Sequence, residues 1–109
     1  MFFKFKNEKD GLDSALARGD INEICERIVY IAFYCPDWRW AQDYCLILLD
    51  YNSKDVKGVA ATCLGHVARI HRRLDKDRVL NVLREHLSDL DISGQVEDAI
   101  DDIEIFLDG

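Results

Sequence analysis

A chain of 109 residues, 49% of them apolar, is long enough to bury a core of its own without disulfides or metal. Its 14 Lys and Arg against 21 Asp and Glu leave a net charge of −7, which argues against direct nucleic-acid binding, because a phosphate backbone needs clustered cations, and points to a basic partner. No run of about 18 apolar residues occurs, so no membrane partner is expected, and the opening MFFKFK lacks the apolar region and cleavage site of a secretion signal, so the expected location is cytoplasmic.

One proline, few glycines and apolar residues at three- and four-residue steps predict an all-α chain; no stretch alternates with the period of two of a half-buried strand. A first short helix is expected over Leu12 to Arg18, stopped by Gly19 as a left-handed residue. Asp20 caps a second, with Glu23 completing a capping-box pattern. Ile21, Ile24, Cys25, Ile28 and Ala32 form its core stripe, and Val29, Tyr30, Phe33 and Tyr34 widen the apolar surface so far that this helix should be central. Pro36 ends it. Asp37 caps a third helix with the stripe Trp38, Ala41, Cys45, Leu48 and Leu49. Ser53 caps a fourth, whose narrow stripe is Val56, Val59, Ala60, Cys63, Val67, Ile70 and Leu74. Asp75 caps a fifth with Val79, Leu80, Leu83 and Leu87, and Ser93 a sixth with Val96, Ala99, Ile100, Ile103 and Leu107.

Trp38 and Trp40 point about 200° apart on a helix, so they cannot share one core face. Trp40 starts a second stripe with Tyr44, Ile47 and Tyr51. Two readings fit it: packing against an adjoining helical unit, or an aromatic anchor for a partner built on Trp40 and Tyr44.

Cys25, Cys35, Cys45 and Cys63 form no Cys-x-x-Cys pair and sit in apolar helical patterns, as small buried hydrophobes do. Cys63 and His66, one turn apart, lack a second pair of ligands, so no metal site and no cofactor are expected. His66, His71 and His86 lie on helices among Arg and Leu with no nucleophile or phosphate-binding glycine loop, and no enzymatic activity is expected.

Val56, Val59, Ala60, Cys63 and Val67 recur as Val96, Ala99, Ile100, Ile103 and Leu107, an offset of 40 residues. LILLDYNSKDVKGVAATCLGHVARI, Leu46 to Ile70, resembles a HEAT repeat, with Val-x-x-Val-Ala-Ala-x-x-Leu-Gly opening its second helix. LNVLREHLSDLDISGQVEDAIDDIEIFL, Leu80 to Leu107, resembles a more degenerate unit that lacks the glycine, and the helix from Asp20 to Tyr34 fits the second half of a worn first one. The expected architecture is six short antiparallel helices forming two to three HEAT-like hairpins in a right-handed stack, a single domain over residues 1–109. A plain six-helix bundle satisfies the same periodicity but has no reason to carry the repeat.

From Ser88 on, the chain holds Asp89, Asp91, Glu97, Asp98, Asp101, Asp102, Glu104 and Asp108 with no Lys or Arg. Without a cation at i, i+4 these carboxylates repel one another, a cost that a binding role would explain. Arg69, Arg72, Arg73, Arg78 and Arg84 cluster near Asp75 and could pair with this acidic run.

In size, acidity and HEAT-like pattern the chain resembles the small helical immunity proteins of bacterial contact-dependent growth inhibition and other polymorphic toxin systems. The resemblance implies a monomer that binds one toxin domain tightly, foremost a ribonuclease or other nuclease, and blocks its cationic cleft. Asp91, Glu97, Asp98, Asp101, Asp102 and Glu104 around Ile105, together with Trp40 and Tyr44, are the expected contact residues. The other reading is a HEAT-like adaptor or assembly subunit of a larger complex.

Overall fold

Six helices, with no strand among the described residues, form the chain: α1 (Phe2–Arg18), α2 (Ile21–Tyr34), α3 (Trp38–Leu48), α4 (Lys54–His71), α5 (Lys76–Glu85) and α6 (Ser93–Phe106). The computed structural model describes residues 2–107, with side chains over 6–107. Asp20, Asp37 and Ser53 each turn a side-chain oxygen onto the backbone N–H three residues on, relieving the unpaired donors of α2, α3 and α4. Gly19, at φ +67, closes α1 with an N–H bond to Leu16 O.

Three boundary expectations need correction. α1 begins at Phe2 rather than Leu12, because Gly11 does not break it: the Arg27 guanidinium lies over Gly11 and reaches Glu8 at 3.3 Å, tying that turn to α2. Asp75 holds the N-cap position of α5 but bonds no backbone N–H of its first turn, its carboxylate being drawn to α3 instead. Ser93 is the first residue of α6, and the capping position falls to buried Ile92, which has no side-chain acceptor.

Contact registers give the layout. Arg27 beside Glu8 and Arg18 beside Glu23 run α1 and α2 antiparallel. Trp38 beside Leu74, with Cys45 against Cys63, does the same for α3 and α4, and Lys76 Nζ donating to Leu107 O for α5 and α6. Alternate helices run parallel. Lys9 sits 4.5 Å from the Trp40 ring and Tyr44 donates to Asp13, joining α1 to α3; Arg78 to Asp43 at 2.9 Å and His86 to Asp50 at 3.0 Å join α3 to α5. In the other layer the Phe33 ring lies 4.8 Å from His66, and Gln95, Ala99 and Phe106 follow Gly58, Gly65 and Arg72 along α4. Odd helices thus form one layer and even helices a second, a slab of 33 × 30 × 17 Å whose thickness matches two packed helices.

α4 is the central helix, not α2. It buries nine residues, Gly58, Ala60, Ala61, Gly65 and Ala68 among them, against four on α2, because neighbours cover it on three sides. Its small residues let α2 and α6 approach closely. A Cβ at Gly65 would stand 3.4 Å from Ala99 Cα and 3.0 Å from Asp102 Oδ2. Ile31 on α2 is fully buried, while Ile21 and Cys25, placed in the core by periodicity, are half-buried on the outer side of the even layer.

Candidate protein-binding face

The acidic run divides when the chain folds. Asp89 receives the Lys57 ammonium at 2.6 Å, a hydrogen bond that holds its carboxyl below the usual range. Glu104 meets Arg84 at 3.5 Å. Half-buried Asp102 sits against Gly65 beside His66. Asp91, Glu97, Asp98 and Asp101 are exposed and make no ion pair with the described residues. Asp108 lies outside the described residues. The run is therefore partly neutralised, by cations from α4 and α5 that spacing along α6 could not reveal.

Ala99 and Ile103 point α6 into the core, which by helical geometry turns Asp98, Asp101 and Ile105 away from it. Ile105 is 68% exposed, so the exposed carboxylates surround an apolar centre. Leu90, in the turn before α6 and flanked by Asp89 and Asp91, is 88% exposed and escaped the sequence reading, since an isolated turn leucine carries no periodic signal.

Trp40 and Tyr44 lie elsewhere. Both are half-buried where α3 meets α1: their rings stand 4.5 Å apart, Lys9 covers Trp40, and the Tyr44 hydroxyl donates to Asp13. Burial and that carboxylate push the Tyr44 hydroxyl up to about 12. Ile47, next on the same stripe, is exposed. The basic cluster is also dispersed: Arg78 pairs with Asp43 and Asp75 on the odd layer, Arg69 donates to His66, and the Arg72 guanidinium lies 4.9 Å from the Phe106 ring.

Each histidine is engaged with the fold. His71 Nε2 bonds Ala32 O at 2.9 Å. His66 accepts from Arg69, and burial followed by that guanidinium lowers its pKa. His86 sets Nδ1 at 2.9 Å from Val82 O and Nε2 at 3.0 Å from Asp50 Oδ1, two acceptors that only the protonated ring can serve together. Cys35, Cys45 and Cys63 are buried, whereas Cys25 is half-buried.

Cys25 opens onto a concavity that periodicity could not disclose. A groove of ≈ 550 Å³ runs over the outer side of α2 and α4 and is closed at one end by Asp91 and Gln95. Cys25, Val29 and Val59 line its apolar side; Asp55, Thr62 and Asp91 bring polar groups to it.

No family model and no curated protein matches the chain. Among solved structures it is similar to a chain in the crystal structure of a CDI complex from Cupriavidus taiwanensis LMG 19424, at 33% identity and a TM-score of 0.79, over 89% of this chain and 88% of that one. The chain belongs to the immunity proteins of contact-dependent growth inhibition. Among the described residues of this immunity protein no helix is long and apolar enough to cross a membrane, and no group of three His, Cys, Asp or Glu could hold a metal ion.

Proposed function

We propose that this immunity protein binds the toxin domain of its own contact-dependent growth inhibition system and holds it inactive by occupancy alone, without chemistry of its own. The observation that carries the reading is the likeness, at 33% identity over nearly the whole of both chains, to a component of a CDI complex. The toxin is a nuclease, foremost a ribonuclease, whose cationic cleft meets α6. Four exposed carboxylates that make no ion pair with the described residues, at Asp91, Glu97, Asp98 and Asp101, support this, because carboxylates can stand in for substrate phosphates and steer the encounter. Glu104 and Asp102 flank them, and Ile105 adds apolar contact at their centre. The complex is one-to-one and forms in the cytoplasm.

The test uses the toxin domain encoded beside this chain. Co-expression should restore growth, and titrating the purified chain into a nuclease assay should abolish cleavage at one equivalent. Growth arrest that persists, with no complex on gel filtration, sinks the reading. A toxin that is bound and neutralised yet cleaves neither RNA nor DNA removes the nuclease assignment alone. Asp98→Lys combined with Asp101→Lys should slow association about tenfold or more at low salt and flatten its salt dependence. The melting temperature should hold or rise slightly, since like-charge repulsion is relieved.

A further inference from the structure

The acidic face accounts for steering and adds Ile105 and Leu90 as single protruding apolar side chains, but among the described residues it has no concavity to enclose a partner's side chain: rim charges change association rates, while affinity resides in anchors buried in pockets. The anchor site lies next to it. The groove between α2 and α4 ends at Asp91, one of the carboxylates without an ion pair, so it is continuous with the acidic face. Its apolar side is Ile21, Cys25, Val29 and Val59, with Val29 37% exposed. Asp55 on its border, like Asp91, makes no ion pair with the described residues. Lys54 is the cation lining it. Apolar side and acidic border together fit an aliphatic side chain with Lys or Arg beside it.

We propose that this groove seats a short segment of the toxin, an apolar residue with basic residues beside it, so that recognition is divided: α6 captures and the groove retains. The proposal rests on the toxin-binding reading above and adds to it where the bound state is held. The division follows from the kind of group at each place. Exposed charges act over about a Debye length before contact, whereas an apolar pocket acts only once water has left it. Mutants of the two regions should therefore separate in kinetics, with one set changing association and the other dissociation.

Thr62 provides the test, being exposed on α4 and lining the groove. Thr62→Trp fills the groove from a solvent-facing position, Val29→Arg places a like charge before a basic segment, and Thr62→Ser is the control. With the neighbouring toxin domain in surface plasmon resonance, the first two should raise the dissociation rate about 100-fold while association stays within about threefold, the pattern of a lost hot spot. Thr62→Ser should match wild type. Cys25 supplies an independent readout, since the other three cysteines are buried. N-ethylmaleimide at mildly alkaline pH should label Cys25 in the free chain, and bound toxin should suppress that labelling about tenfold or more, with mass spectrometry locating the adduct.

Unchanged dissociation for both variants, or equal labelling of Cys25 with and without toxin, overturns the groove assignment while wild-type binding leaves the functional reading standing. A wild-type dimer that Thr62→Trp disperses would give the groove to a second copy and also overturn it. If the wild-type chain fails to bind the toxin at all, the functional reading falls first and the groove assignment with it.

Discussion

Gln42 and Asp75 exchange two hydrogen bonds across 33 residues of sequence: Gln42 Nε2 donates to Asp75 Oδ2 at 2.9 Å, and the Asp75 backbone N–H donates to Gln42 Oε1 at 2.6 Å. Gln42 is the one fully buried polar side chain among the described residues, and this pair ties the N-cap residue of α5 to α3. Gln42→Leu should cost about 1–3 kcal/mol, because the Asp75 N–H is left without an acceptor. Gln42→Glu keeps the shape but sets a buried carboxylate against Asp75 and Asp43. Burial and like charge raise the folded pKa of such a group, so it should be the worse variant at neutral pH, begin to recover as pH falls through that raised folded pKa, and recover fully by about pH 4, near the unfolded value. Urea denaturation at two pH values checks both.

The glycines of α4 should respond oppositely to one methyl group. At Gly58 an added Cβ meets only the Gln95 side chain, at 3.2 Å, and that chain can swing aside. Gly58→Ala should then gain about 0.5–1 kcal/mol from helix propensity and reduced unfolded-state entropy. At Gly65 the new methyl stands 3.0 Å from Asp102 Oδ2 and 3.4 Å from the Ala99 backbone, and two packed helices do not yield. Gly65→Ala should lose about 1 kcal/mol or more through overpacking. Paired thermal melts decide it; a stabilised Gly65→Ala would mean that α6 rides more loosely on α4.

Burial disfavours the charged form of His86, but the bonds to Val82 O and Asp50 outweigh it and raise the pKa above 6.5. A histidine whose folded pKa is raised contributes stability that is complete below its unfolded pKa and lost as pH rises through the folded one. His66, with its pKa lowered by burial and Arg69, acts in the opposite sense. The slope is therefore read by difference: wild type minus Asp50→Asn should show an advantage at pH about 6 that shrinks by pH about 8. Equal curves over that range would mean that the Asp50 contact is too exposed to matter.

Trp40→Ala should destabilise the chain by about 2 kcal/mol, less than the 3–5 of a fully buried aromatic, because Trp40 is half-buried against Lys9 and Tyr44. Toxin affinity should stay within about threefold, a factor worth less than 1 kcal/mol. The opposite pattern, intact stability with lost binding, would make the Trp40 stripe an anchor surface.

Helix number, the caps at Asp20, Asp37 and Ser53, and the stop at Gly19 were legible in the chain because each is a local matter, set by dihedral preference and by side chains reaching three or four residues away. The 40-residue recurrence likewise marked α4 and α6 as equivalent, and they pack side by side and parallel. Where local information ended, inference ended. Lys57 with Asp89, Arg84 with Glu104 and Gln42 with Asp75 are separated by 32, 20 and 33 residues, so a helical wheel showed an unrelieved acidic run and an ordinary cap where the fold had placed partners. Which helix is central, and where the groove opens, depend on how helices register against one another. That register is chosen by the fit of small residues such as Gly58 and Gly65 against side chains about 35 positions along the chain, a sum over many distant contacts that no window of sequence contains.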